Sequence, residues 1–312
     1  MIARAAPLLL AAAVGCGGSP PTTTPSTVWN DAPAPTPPDW NNSLAVCWTD
    51  VTCKRALIVS HGGDWDVKAP YDSHTALVRA VERGADGIKA DLRVTADNVA
   101  VITHSSPIQI YESTDCNGQL VEQMTAAQVT ACHMLGSKTE TFQRVDSLLR
   151  WAHGRTVVML DVKVPGDLPR AISTAIENGA EDDLFLEVHA ADFLNIVVGV
   201  PGWEQIHYLV WLTNGPADAD AVLAAGHGAQ AFMYEMDPTY PSTDATMMKT
   251  FIETRLHPAG VRAFSSSDKN DPTVANHQML FDEGFDVVMT YNLTNALMVR
   301  QSVNLARGVS PP

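Results

Sequence analysis

The chain has 312 residues, 46% of them hydrophobic and 18% charged, enough apolar material for one large core and not obviously for two. Its 35 acidic residues outnumber 20 Lys and Arg, and the resulting formal charge of −15 sets up a field that repels nucleic acid and gives no general attraction to anionic lipid surfaces. A polyanion-binding role is set aside, and one domain, taken as a monomer, is expected.

The chain opens with MIARAAPLLLAAAVGCGGSPP: a short basic start, an apolar run too brief to span a bilayer, and small residues before a cysteine. This is the layout of a removable secretion signal over residues 1–16. The Val14-Gly15-Cys16 junction resembles a bacterial lipobox, which would make Cys16 the lipidated N-terminus of an exported, envelope-anchored protein. The competing reading is an ordinary secretory signal with an incidental Cys16. It is disfavoured by the Pro/Thr-rich tract that follows, which cannot bury a core and suits a tether over residues 17–45. Residues 46–312 then form the folded domain.

Setting Cys16 aside leaves Cys47, Cys53, Cys116 and Cys132. Four cysteines in an exported chain make two bridges, and closeness in sequence favours Cys47–Cys53 and Cys116–Cys132, although three connectivities exist in principle. A metal-binding tetrad competes, but no CxxC spacing is present.

From about residue 55 the chain alternates apolar β-type runs with helix-period segments. The strand candidates are RALIVSH (55–61), GIKADLRVT (87–95), TVVMLDVK (156–163), LFLEVHA (184–190), IHYLVWL (206–212), GAQAFMYEM (228–236), VRAFSSS (261–267) and FDVVMTYN (285–292). Helices are expected between them, for example over 73–84, 144–154, 168–179, 218–228 and 276–285, several ending in a Gly suited to a C-cap. Eight strands with intervening helices predict an α/β fold, the TIM (β/α)8 barrel, whose chemistry collects where strands end and βα loops begin. The stretch 96–143 is long for one such loop and reads as a short strand through His104 followed by a disulfide-pinned excursion.

Alternate residues of a strand share a face, so Lys89, Asp91 and Arg93 point one way, as do Asp161 with Lys163 and Glu187 with His189. A packed barrel interior favours Val, Ile or Leu, and charge there is costly without a partner. Such pairs near strand ends predict a polar pocket facing a ligand. His189 either joins that pocket or forms a local pair with Glu187. Trp211, Tyr234 and Tyr291, near later strand ends, line the pocket or fill the core. His74, His133, His153, His207, His227, His257 and His277 fall on helix or loop patterns and are expected to be mostly solvated, and Asp97-Asn98 need only mark a turn.

His61-Gly62, Pro70, GADGIKADLRVTADNVAVITH (84–104) and LDVK (160–163) together resemble the glycerophosphodiester phosphodiesterase family. Its pattern runs His-Arg-Gly, Pro-Glu-Asn-Thr, Gly-Ala-Asp-x-Ile-Glu-x-Asp, His-Asp and Glu-x-Lys on a TIM barrel. The resemblance implies hydrolysis of a glycerophosphodiester or phospholipid-type diester by two histidines. His61 would be base or nucleophile, His104 would protonate the leaving alcohol, and Lys163 would hold phosphate oxygens.

The departures carry as much information. The family holds a divalent metal with four acids, at positions that read Tyr71, Lys89, Asp91 and Asp161 here, so two of the four ligands are gone and an ammonium points into the site. A hard ion such as magnesium or calcium needs several oxygen ligands and tolerates an adjacent cation poorly. The family's Arg after the first His is Gly62, and its Asp after the second is Ser105. The reading that follows is that Lys89 takes the place of the metal, with Asp91 and Asp161 serving as ligands only if an ion binds, and that no cofactor is required. Two alternatives stand beside it: a catalytically degenerate barrel that binds a phosphorylated or sugar ligand, and a Schiff-base enzyme using Lys163 or Lys89 as nucleophile.

Overall fold

The computed structural model describes Trp29, residues 44–228, 231, 233–235, 245–267, 270 and 272–309. The expected signal segment and nearly all of the expected tether lie outside the described residues.

Among the described residues ten strands form: β1 Leu57–His61, β2 Gly87–Val94, β3 Ala100–Ile102, β4 Gln143–Arg144, β5 Val157–Val162, β6 Leu184–His189, β7 His207–Trp211, β8 Met233–Glu235, β9 Arg262–Ser266 and β10 Val287–Thr290. Eight of them, β1, β2 and β5 to β10, run parallel in chain order, and β1 pairs with both β2 and β10, so the sheet closes on itself. These are the eight expected runs, and the fold is a TIM barrel. Helices cover them, including His74–Glu82, Val145–Ala152, Leu168–Glu177, Pro216–Ala224 and Val274–Asp282 near the expected positions. Their starts are set by caps: Ser73 Oγ accepts from Ala76 N–H at 3.1 Å, and Thr273 Oγ1 from Asn276 N–H at 3.2 Å. Among the described residues no helix is long and apolar enough to cross a membrane.

Strand periodicity divides the core in two. One phase of each strand, with Leu57, Val59, Val157, Met159, Phe185, Leu209, Phe264, Val287 and Met289, fills the barrel. The alternate phase, with Ile58, Ile88, Leu92, Val158, Leu160, Leu186, Tyr208, Val210 and Val288, packs under the helices. The barrel's floor is closed by Trp48, fully buried against the interior set. Gly87 has no side chain because a Cβ there would lie 2.9 Å from the Trp48 ring. Fully buried Arg262 holds the loop carrying Trp48 in place, donating to the carbonyl oxygens of Cys47, Asp50 and Arg55, and its other partner is Asp286 at 3.5 Å.

Beyond the barrel rim β2 continues into an antiparallel pairing with β3, which pairs with β4. The excursion between them has its own small core around Val101, Ile108, Val121, Val129 and Phe142. The strand expected to run through His104 ends at Ile102, because the chain there turns into the loop that Glu112 ties down. Cys47 is joined to Cys53 and Cys116 to Cys132, the two local bridges favoured by sequence closeness.

Trp48→Ala should destabilise the domain by about 3–5 kcal/mol, the usual cost of emptying a large aromatic site. In denaturant melts Gly87→Ala should then cost less in the Trp48→Ala background than in the parent; equal costs in both would show that Trp48 is not what Gly87 accommodates.

Candidate active site

The inward phase that is apolar at the floor turns polar at the strands' C-terminal ends. His61 pairs in register with Lys89 across β1 and β2, and Asp91, Asp161 and Glu187 stand in register across β2, β5 and β6. Lys89 is 2% exposed and Asp91 0%, so this is a desolvated ion pair. The Lys89 ammonium contacts Asp91 Oδ1 and lies 2.9 Å from Asp161 Oδ2. Lys163 Nζ completes the quartet, 2.8 Å from Asp91 Oδ1 and in contact with Asp161 Oδ2. Tyr71 donates its hydroxyl to Asp91 Oδ2 at 2.8 Å, and the Asp91 backbone N–H donates to Asp72 Oδ2 at 3.1 Å.

These contacts decide protonation. Burial pulls the Lys89 pKa down, but the carboxylates of Asp91 and Asp161 outweigh it and hold the group charged. Burial pushes the Asp91 carboxyl up, and the ammoniums of Lys89 and Lys163 reverse this and hold it well below the usual range. Burial, with Asp72 and Asp91 nearby, keeps Tyr71 a phenol. Asp72 and Glu187 go the other way: burial, then Asp91 for the first and Asp161 and Glu235 for the second, raise both well above ordinary carboxyls. Asp72 Oδ1 and Glu187 Oε2 are buried without a hydrogen-bond partner among the described residues.

The two histidines flank this quartet. The His61 ring lies 4.2 Å from that of Tyr291 and 5.3 Å from that of Tyr71, centroid to centroid, and its buried Nδ1 has no partner among the described residues. Burial first, then Lys89, lowers its pKa well below the ordinary 6.5. His104 lies across Tyr71 at 6.4 Å. Its loop is fixed by Glu112, which accepts from the Thr103 hydroxyl and from the backbone N–H groups of His104 and Ser105 at 3.1, 2.9 and 3.1 Å. Arg93 Nε donates to the His104 carbonyl at 2.9 Å, and the Tyr111 hydroxyl lies 3.1 Å from His104 Nδ1. Burial also lowers the His104 pKa, against the pull of Asp91. Both rings open on one cavity of about 1110 Å³ that also takes in Lys89, Lys163 and Glu187.

Gly62 belongs to this design. It has φ +65°, and a Cβ built on it would lie 2.0 Å from the Tyr71 ring. The Arg of the family pattern is therefore sterically incompatible with a Tyr71 seated on Asp91.

The structure thus brings together His61, His104, Lys89, Asp91, Asp161, Lys163 and Glu187, with Trp211 and Tyr291 also lining the cavity. Two expectations are corrected, for His189 and for the remaining histidines. His189 neither joins the pocket nor pairs with Glu187: β6 ends there, a helix starts at Ala190, and the exposed ring turns to Thr213 Oγ1 at 3.2 Å. Of the two readings of Tyr234 the structure takes core filling: it lies on the outward phase of β8 and is buried under the helices. Of the remaining histidines only His133 and His153 are exposed. His74 packs under Trp29 at 4.5 Å, His277 is held between the Thr273 carbonyl and Thr290 Oγ1, and His207, His227 and His257 are half-buried. Asp97 serves its turn, accepting from Thr95 Oγ1 and Ala126 N–H, with Asn98 at φ 59°. Asp72, Tyr111, Glu112 and Glu235 were not singled out by sequence reasoning. Only Asp72 carried a usable signal there, since it follows Pro70 and Tyr71, where the family's Pro-Glu-Asn-Thr pattern falls on residues 70–73.

The donor set does not suit a divalent ion. Asp91 Oδ1 and Asp161 Oδ2 each face two ammonium groups, Asp91 Oδ2 is taken by Tyr71, and the other two family positions are Tyr71 and Lys89 themselves. Among the described residues no group of three His, Cys, Asp or Glu side chains is arranged to hold a metal.

The barrel thus carries two histidines and a lysine-carboxylate quartet at its C-terminal mouth. Residues 68–169 match the model of the glycerophosphoryl diester phosphodiesterase family, a stretch holding Tyr71, Lys89, Asp91, His104, Asp161 and Lys163. No curated protein matches the chain. Among solved structures it is similar to a glycerophosphoryl diester phosphodiesterase from Parabacteroides distasonis (18% identity, 80% of this chain and 87% of that one, TM-score 0.66) and to a glycerophosphodiester phosphodiesterase from Agrobacterium tumefaciens (20%, 78% and 100%, 0.61). It is also similar to a phosphodiesterase from Oleispira antarctica in complex with the product sn-glycerol-3-phosphate (14%, 81% and 98%, 0.58). At these identities the structural likeness is one of fold.

Replacing Lys89 with Met should leave buried Asp91 under-compensated and cost about 3–5 kcal/mol of stability, with Asp91→Asn on top recovering part of the loss. Urea midpoints at neutral pH read this directly; a Lys89→Met protein as stable as the parent would show that the pair is not mutually dependent.

Proposed function

We propose that the protein cleaves a phosphodiester of the glycerophosphodiester or phospholipid type, with His61 as general base, His104 as general acid and Lys163 on the phosphate oxygens. The observation that carries this is the placement of two histidines, both beside the Tyr71 ring, on one cavity that also holds Lys89 and Lys163. A lowered pKa leaves His61 neutral and able to take the proton of the attacking oxygen. His104 must carry a proton to release the alcohol, and an anionic diester seated between it and Lys163 supplies the charge that raises its pKa on binding.

In this reading no metal is required. Lys89, held protonated, supplies from the protein itself the positive charge that stabilises the pentacoordinate transition state. The same protonation speaks against Lys89 as a Schiff-base nucleophile, which must be neutral to attack. Export with a lipid anchor at Cys16 belongs to the proposal too, and the pairing of all four remaining cysteines supports the oxidising compartment it requires.

If His104 is the acid, its worth depends on the leaving group, general acid catalysis being commonly worth about 10²–10⁴ in rate. His104→Ala should nearly abolish cleavage of alkyl diesters while sparing much of the turnover of a p-nitrophenyl diester, and His61→Ala should damage both. Equal losses on both substrates in His104→Ala would remove the assignment.

Activity should also survive exhaustive EDTA treatment, whereas Lys89→Ala should lower kcat by about 10²–10³, the scale for removing one electrostatic stabiliser. Inactivation by EDTA that calcium or magnesium reverses would sink the metal-free mechanism.

A further inference from the structure

Polar groups account for the cavity's floor but not for its mouth. Trp65, Val67, Tyr111 and Leu135 line the cavity and are nonetheless 46%, 89%, 55% and 42% exposed, and Ile110 beside them is 63% exposed. Single exposed apolar side chains are ordinary, but several collected at the opening of one cavity mark a binding surface. The other large exposed hydrophobics among the described residues line no part of this cavity: Val274 and Met279 lie on one helix, Met298 and Leu305 on another, and Val164 follows a strand end.

The rim is built from two loops that meet across the mouth. A Cβ on Gly136 would lie 3.6 Å from the Val67 carbonyl, and the Leu135 N–H donates to the Glu112 carbonyl at 2.7 Å. The first loop is tied down by Asp66, whose carboxylate accepts from the N–H groups of Lys68 and Ala69, and by Arg79 on Asp64 at 2.8 Å. The second is tied by the Cys116–Cys132 bridge and by Glu112. The apolar surface is thus held open instead of collapsing into the core. Its chemistry is one-sided: Val67, Met134, Leu135 and Phe142 offer a ligand no hydrogen-bonding side chain, and the Tyr111 hydroxyl is engaged with Ser105 and His104. At about 1110 Å³ the cavity also exceeds the roughly 300–1,000 Å³ that encloses a drug-sized ligand, so a small water-soluble diester would leave this arm unfilled.

We infer that the site takes a diester carrying an aliphatic chain, with the phosphate on the Lys89–Lys163 floor and the chain seated against Trp65, Val67, Met134 and Leu135. The inference rests on the phosphodiester reading of the floor but concerns a different part of the cavity. The chain adds binding energy in proportion to the methylenes it buries, each worth about fourfold in affinity.

The test uses butyl-, hexyl-, octyl- and decylphosphocholine as monomeric probes, titrated calorimetrically into the full-length His61→Ala protein. In parallel, kcat/KM of the parent is measured on glycerophosphocholine and on its octanoyl ester. Affinity should climb about three- to fourfold per methylene before levelling off, and the octanoyl ester should be preferred at least about tenfold. In Val67→Ser/Leu135→Ser both the slope and that preference should shrink. A steep slope without hydrolysis of any diester would keep the chain site and discard the phosphodiesterase reading. Flat affinities with brisk hydrolysis of chain-free glycerophosphocholine would overturn the chain site and keep the activity. Association with phosphatidylcholine vesicles but not with monomeric probes would overturn it too, by making the rim a bilayer contact.

Discussion

The pocket depends on one constraint: a lysine and an aspartate are held out of water inside a barrel, on the same strand face two residues apart. Neither charge survives there alone, so neighbours are recruited until the balance closes. Lys163 bridges to both acids, Asp161 shares both ammoniums, Tyr71 caps the free oxygen of Asp91, and the carboxyl of Asp72 takes the Asp91 backbone N–H. A buried ion pair is a weak device for stability, since apolar groups of similar volume do as well. One level below, the same barrel uses Val59, Val157 and Phe185 for that purpose. The change from hydrocarbon to fixed charge along each strand divides the part that holds the barrel together from the part that meets a ligand.

Three departures from the family pattern form a single physical unit. Tyr71 can reach Asp91 only by passing over residue 62, and its ring leaves room there for glycine alone. With a phenol in place of an acid, the Asp91 carboxylate has an oxygen to share with ammoniums, and Lys89 occupies the space between it and Asp161. Restoring any one of the three family residues alone would create a clash or an uncompensated charge.

Much of this was legible from alternation. Once a strand is placed, its period of two says that Lys89 and Asp91 face inward with Asp161, Lys163 and Glu187, and the ordered motifs single out His61 and His104. What alternation does not reach is irregular chain. Trp48 plugs the floor from a short helical turn held by Arg262, Trp65 and Val67 sit in the loop after β1, and Tyr111, Glu112 and Leu135 sit in the excursion between β3 and β4, where no strand period relates position to direction. His189 shows its limit within strands, because it falls where the strand gives way to a helix.

Charge counting ties the quartet to the reaction. Four acids around a divalent ion would carry two net negative charges, whereas Asp91 and Asp161 around Lys89 carry one, so a diester approaching this floor meets less repulsion before Lys163 is counted. A catalytic metal stabilises developing charge by coordinating the substrate's oxygens directly, in place of bound water. An ammonium locked against two carboxylates cannot do that. In the proposed reaction its contribution would come from being already in place, in a water-poor site where orientation is set by folding and no reorganisation is needed when the transition state forms. The tight seating of Tyr71, Gly62 and Asp72 around Lys89 is therefore a requirement of such chemistry, because a fixed charge is useful only where the packing around it fixes its position.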